Sequence, residues 1–345
     1  MFRAAPIVCL FISLGCTPRA VVWSSLPALP DPRGLAGGFA GVSGGAVIFA
    51  GGSNFPDGPP WEGGRKAWYD GVYTLDVSGG CWWLVGSLPG PRGYGASVSY
   101  RGAVICIGGG DARRNVPDVT RLRLDGSHLT VMSLPPLPVA LANCCAAVVE
   151  DELYVACGQQ SPDSTEASRD AYRISLARPD ARWECIAPPP GPARILATAA
   201  SCDGAFWVIG GASLARGPDG KPVRRYLADV YRFDPAANRW TRVADLPMPL
   251  AASPTPAPTI GQNLYLLGGD DGTAVGVAPP QRHPGFNRRT LCYDVRRNRW
   301  SDAGAVPVAQ VTTPAFQWQG SWIVCSGEVR PGTRSPAGWA YALRP

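Results

Sequence analysis

Short apolar runs that close on glycine recur along the whole chain. They read IFAGG (48–52), ICIGG (105–109), FWVIGG (206–211) and LYLLGG (264–269), with degraded copies YVACG (154–158) and WIVCSG (322–327) filling the gaps. Their spacing is roughly 50–58 residues, the signature of a repeat architecture. A variable loop follows each run, then a strand such as VYTLD (72–76), VYRFD (230–234) or LCYDV (291–295). A Trp-bearing strand comes next, at Trp83, Trp183, Trp240 and Trp300, and then a Pro-rich turn such as LPGPR (88–92). Apolar runs this short, bounded by Gly and Pro, predict strands and not helices.

The pattern resembles the kelch motif, whose repeat folds as one four-stranded propeller blade. It implies an all-β, six-bladed kelch-type β-propeller. The last repeat has its Gly strand (322–327) and the GWAYAL strand (338–343) but no Trp strand, and VVWSSLPALP (21–30) supplies one at the other end. One blade is then built from both ends of the chain, which removes two exposed sheet edges. Residues 21–345 form a single ring domain. The loop after each Gly strand shares a face with the Pro-rich turn entering the next blade. The residues just past the glycines should therefore line the channel mouth: Ser53, Gly110, Gln159, Ala212, Asp270 and Glu328. Long loops follow at 53–69, 212–228 and 270–289, and long loops on one face of a rigid scaffold carry function.

Composition narrows the partners. Gly (42) and Pro (36) are abundant and charged residues are only 17%, which fits many turns and excludes long exposed helices. The net charge of +6 is spread without a basic stripe, so nucleic acid is not expected, whereas an anionic small molecule is compatible with it. With two His and no CxxC pair among 11 Cys, no metal site is expected. Cys106, Cys157, Cys202 and Cys325 sit in apolar strand patterns and read as buried free thiols. Arg3 followed by the apolar run 4–14 reads as a signal peptide within residues 1–20, and Gly15 and Cys16 fit a lipoprotein processing site. The mature chain is accordingly expected to be exported, periplasmic or held to a membrane by a lipid anchor.

Glu328 ends the sixth Gly strand in SGEVRPGTR, with Arg330 and Arg334 close by. A carboxylate at a channel mouth can move protons, and guanidinium groups can hold an anion; a Glu–Arg pair that only orders the loop explains the same spacing. The first long loop, SNFPDGPPWEGGRKAWYD (53–70), offers Asn54, Trp61, Lys66 and Trp68 for hydrogen bonds and sugar stacking, or packs on itself as a lid. Arg92, followed by Tyr94, and Arg194 occupy similar places in Pro-rich turns, where an Arg contacts substrate or packs between blades. A copper radical oxidase would need more histidines than His128 and His283, and sialidase-type S-x-D-x-G-x-T-W boxes are absent.

Within the kelch pattern, GLAGGFAGVSGGAVIFAGG (34–52), GPRGYGASV (90–98), DVYRFDPAANRW (229–240), GFNRRTLCYDV (285–295) and SGEVRPGTR (326–334) match something narrower. The chain resembles the bacterial N-acetylneuraminate epimerases, or sialic acid mutarotases, in a form whose blades are cyclically permuted. That family's motif is Gly-Glu with Arg six residues on and Pro-Gly between, a spacing kept by Glu328, Pro331, Gly332 and Arg334. The resemblance implies interconversion of the α and β anomers of an acidic sugar without a cofactor. Glu328 would be the base and Arg334 the anion-binding partner, with Arg92, Tyr94, Asn54, Lys66, Arg194 and Asn287 as substrate contacts. Two departures stand out: a shorter fifth insertion (270–289), and Gly110-Asp111 where the family has Glu. A non-catalytic module binding a glycan or a protein, or a mutarotase for another sugar, are the other readings of the same residues.

Overall fold

The computed structural model describes residues 21–76, 78 and 80–343; the expected signal segment and Cys16 lie outside them. Six four-stranded antiparallel sheets follow one another along the chain as the blades of a propeller. In blade I the strands are Phe39–Ser43, Ala46–Ala50, Gly71–Leu75 and Trp82–Ser87, from the axis outward. The inner strands of blades I to V touch in succession around the axis, and Phe39–Ser43 lies against Ala315–Trp318 of blade VI. The second strands AVIFA, AVICI and AFWVI are buried at every position, because neighbouring blades cover both of their faces. That burial is why they read as unbroken apolar runs.

Blade VI is closed as the terminal repeats imply. Val21–Leu26 lies antiparallel against Thr333–Leu343, from Val21 opposite Leu343 to Leu26 opposite Gly338. Trp23 then packs its ring 5.1 Å from that of Tyr341.

In blades I, III, IV and V an outer tryptophan holds the blade to the one before it. Indole N–H groups of Trp82, Trp183, Trp240 and Trp300 donate to the carbonyls of Pro27, Pro135, Ala187 and Ala244, at 2.6–3.0 Å. In blade I the repeat position belongs to Trp82, and the expected Trp83 faces outward, 39% exposed. Adjacent tryptophans in one strand alternate faces, and the apolar pattern could not choose between them.

At the mouth the chain repeats one turn six times. Gly37, Tyr94, Asn143, Leu196, Ala252 and Thr312 all have left-handed φ, from 51° to 69°. Each donates its backbone N–H to the carbonyl of its counterpart in the preceding blade, and Gly37 donates to Thr312, so six hydrogen bonds of 2.6–3.3 Å form a closed ring. The glycine pairs make room for this crowding: a Cβ at Gly108 would lie 2.3 Å from the Leu141 carbonyl oxygen, and one at Gly210 2.2 Å from that of Leu250. In the degraded repeats, Cys157 (φ 65°) and Ser326 (φ 58°) take the same conformation despite their Cβ atoms. Ser326 offsets the strain by accepting the Leu35 N–H at 2.8 Å, which ties the N-terminal loop to blade VI.

Candidate functional site

The hydrogen-bonded ring is the floor of a cavity of about 420 Å³ that opens on the mouth face. Tyr94, Asn143, Leu196, Ala252 and Thr312 line both this cavity and a narrow space of about 40 Å³ beneath it. Just above the floor, each blade extends its inner ladder by one bridge: Ala36–Ser53, Gly93–Gly110, Ala142–Gln159, Ile195–Ala212, Ala251–Asp270 and Val311–Glu328. These are the six positions expected from the repeat. Gly110, Gln159, Asp270 and Glu328 line the cavity, whereas Ser53 and Ala212 are fully buried behind it.

Glu328 and Arg334 face each other across one hairpin, Ser321–Arg330 and Thr333–Leu343. Pro331 and Gly332 form its two-residue turn; Pro fixes the first φ, and Gly332 supplies the positive φ of 77° that the second position requires. The ladder pairs Arg330 with Thr333 and then jumps to Glu328 with Arg334, leaving Val329 as a bulge. Without that extra residue Glu328 would oppose Ser335 and point elsewhere. A β-bulge is a recurrent means of re-aiming a side chain at a site.

The carboxylate is held from both sides. Its Oε1 accepts the Gly332 backbone N–H at 2.7 Å and lies 3.4 Å from Arg334 Nη1. Arg334 has only 4% of its side chain exposed. Its Nη2 donates to the Tyr94 hydroxyl at 3.3 Å, and its guanidinium lies 4.5 Å from the Phe55 ring centre. Nε of Arg334 is buried without a hydrogen-bond partner, and Nη1 has only its ion-pair contact with Glu328. A buried donor left unpaired costs about 1–3 kcal/mol, so the group is set up to receive an acceptor. The Tyr94 hydroxyl pairs with Ser53 Oγ at 3.0 Å, and the Lys66 ammonium sits 4.0 Å over the Tyr94 ring and 5.0 Å from that of Trp68.

Glu328, Arg334, Tyr94 and Lys66 thus meet in one cluster, and four other candidates do not join it. Asn54 is buried, donating to Asp31 and the Gly34 carbonyl and accepting from the Tyr69 hydroxyl. Arg92 lies between blades I and II, donating to Thr120 and the Asp118 carbonyl with its guanidinium 5.0 Å from the Phe39 ring. Arg194 is fully buried and binds Asp229 through two hydrogen bonds of 2.8 and 2.7 Å. Asn287 donates to Asp271 at 2.7 Å, away from the cavity. All four order turns or blade contacts instead of lining the mouth. Phe55, Asn143, Arg224 and Phe286 line it and were not anticipated. Asn143 was recoverable from the repeat, since it stands where Gly37 and Tyr94 stand before their inner strands.

Comparison with known proteins adds a family. A sequence profile described as N-acetylneuraminate epimerase matches residues 13–131 and 134–275. The N-acetylneuraminate epimerase of Haemophilus influenzae (strain 86-028NP) is 41% identical over 130 residues, 33% of this chain and 34% of the relative. That of Yersinia enterocolitica (serotype O:8, biotype 1B) is 30% identical over 230 residues, 59% of this chain and 56% of the relative. The matched stretches thus span from a third to just over half of these curated relatives. The solved structure of YjhT has the same fold, with a TM-score of 0.65 at 16% identity, covering 90% of this chain and 94% of its own. The segment carrying Glu328 and Arg334 lies beyond the residues matched by the profile.

Proposed function

This chain belongs to the N-acetylneuraminate epimerase family, and we propose that it interconverts the α and β anomers of N-acetylneuraminic acid at the mouth cavity. The observation that carries the reading is the Glu328–Arg334 pair, a fixed carboxylate beside a nearly buried guanidinium whose Nε has no partner. Guanidinium forks bind carboxylates in bidentate fashion, and the substrate's C1 carboxylate is such an acceptor. The cavity is of a size for one monosaccharide, and Phe55, Trp68 and Tyr94 give it apolar faces.

Mutarotation needs a proton removed from the anomeric hydroxyl and one delivered to the ring oxygen. With C1 held by Arg334, the anomeric hydroxyl lies beside Glu328, which takes its proton as the C2–ring-oxygen bond breaks. Glu328, now protonated, passes that proton to the departing ring oxygen, which leaves as a hydroxyl. The open keto acid turns about C2–C3, and the same hydroxyl adds to the other face of the carbonyl. Reversal of the proton transfers restores Glu328. Arg334 also opposes negative charge building on oxygen in the transition state, and Lys66 adds a second cation on the same side.

The test is direct. α-N-acetylneuraminic acid freshly released from an α-sialoside should equilibrate faster with the protein than in buffer, as followed by proton NMR. No acceleration by folded protein would leave a binding module as the better account. Arg334→Lys keeps the charge but loses the planar fork, so we expect KM to rise about tenfold with a smaller change in kcat. An unchanged KM would remove Arg334 from carboxylate binding.

The turn offers a second check. A Cβ on Gly332 would lie 2.8 Å from Pro60 Cγ and 2.9 Å from Trp61 Cζ3, at a φ that disfavours any side chain. Gly332→Ala should therefore displace the N–H that holds Glu328 and lower kcat about tenfold, with a circular-dichroism spectrum like that of the parent. Full activity in this variant would mean that the Gly332 contact does not position the carboxylate.

A further inference from the structure

A second groove, of about 610 Å³, lies beside the mouth cavity and shares Arg224, Asp270 and Pro331 with it. One bank is the hairpin Ala212–Arg216 and Pro222–Tyr226; the other is the segment 274–283 of the long loop 270–289. The divide between cavity and groove is polar and firmly held. The Tyr226 hydroxyl donates to Asp270 Oδ2 at 2.6 Å, and Asp270 Oδ1 accepts the Gly272 N–H at 3.0 Å. Beyond this sill the walls turn apolar. Val223, Val275 and Val277 are 52%, 68% and 37% exposed, and all three face this one groove. Exposed apolar side chains gathered beside a polar site mark a binding surface for an apolar group.

We infer that this groove is a subsite for an acyl substituent carried by the acidic sugar held at Glu328 and Arg334. The inference rests on the function proposed above and deepens it. A ligand that spans both spaces has an anionic head and an apolar appendage. Ring opening requires a free anomeric hydroxyl, so the appendage cannot be a glycosidic aglycone and must hang from another position. An amide- or ester-linked acyl chain meets that demand, and its carbonyl oxygen can accept from Arg224 at the sill. The three valines then cover the chain's methylenes.

The experiment compares N-acetylneuraminic acid with its N-butanoyl and 9-O-butanoyl counterparts, by calorimetric Kd and by NMR anomer exchange. It uses the wild-type chain and Val275→Ser/Val277→Ser, two exposed loop positions whose change adds no charge beside the anion site and leaves the core intact. At about fourfold per buried methylene, one butanoyl acid should bind the wild type at least about tenfold more tightly than the parent acid. The double variant should lose that gain while its Kd and exchange rate for the parent acid stay unchanged. Equal binding of all three acids by the wild type, or a gain that survives in the variant, overturns the subsite. So does concentration-dependent dimerisation of the wild type that the variant abolishes, since the valines would then face a second copy. Tighter binding of the acyl acids without anomer exchange would sustain the subsite and sink the mutarotase reading instead.

Discussion

Glu328→Gln should bring anomer exchange down by about 100- to 10 000-fold, the range that a positioned acid–base group supplies, leaving the buffer rate. The substitution is close to isosteric. The side-chain carbonyl of Gln can still accept the Gly332 N–H that now reaches Glu328 Oε1 at 2.7 Å, so the hairpin should keep its shape. What is lost is the ability to take a proton, together with the charge facing Arg334 Nη1 at 3.4 Å. Removing that charge frees Arg334 further for the substrate carboxylate, so Kd should stay level or fall while kcat collapses. A structural ion pair predicts the opposite pattern: destabilisation, and loss of binding in step with turnover. Calorimetry, thermal melting and exchange NMR on one preparation separate the two. Retained exchange in a folded Glu328→Gln protein would move the base elsewhere in the cavity, to Asp270 first.

The repeat made the ring legible from sequence, because each Gly strand must be apolar on both faces where neighbouring blades cover it. Terminal pairing followed from a missing Trp strand in the last repeat and a spare one at the start. What periodicity could not convey was direction. Trp82 and Trp83 are the same residue type one position apart, and only the pleat decides which indole reaches Pro27. The six-residue spacing from Glu328 to Arg334 suggested a pair, but their facing depends on the Val329 bulge, which nothing in the local composition announces. Arg92 and Arg194 sit in mouth-side turns, where the sequence leaves substrate contact and packing between blades equally open, and the structure places them in packing. Their partners lie just ahead of or within the third strand of the following blade: Asp118 and Thr120 for Arg92, Asp229 for Arg194. The recurring Asp-Val at 118–119 and 229–230 was the available signal, and it becomes readable only when the repeats are laid over one another.

That Arg194–Asp229 contact is where the largest effect on stability is expected. Burial disfavours both charges, yet two short hydrogen bonds and their mutual attraction outweigh it, holding the Asp229 carboxyl below the ordinary carboxylate range and the Arg194 guanidinium above its own. Arg194 also donates to the Gly210 and Pro192 carbonyls, so one side chain joins the turn before blade IV to the end of its second strand. Arg194→Ala would strand Asp229 and two carbonyls, a change that costs about 3–5 kcal/mol when one partner of a buried pair is removed. The thermal midpoint should fall by roughly 5–10 °C. Arg194→Met/Asp229→Leu, which removes both charges and keeps the volume, should recover most of that loss, and neither variant should alter KM in protein that remains folded. Acid supplies an independent axis. A carboxyl whose folded-state value is depressed contributes stability above its unfolded value, near 4, and loses it as pH falls through the folded value. The wild type should therefore lose more stability than the double variant between about pH 4 and pH 2. Equal acid sensitivity of the two, or a double variant as unstable as Arg194→Ala, would show that packing of the turn and not the charge pair holds blade IV in place.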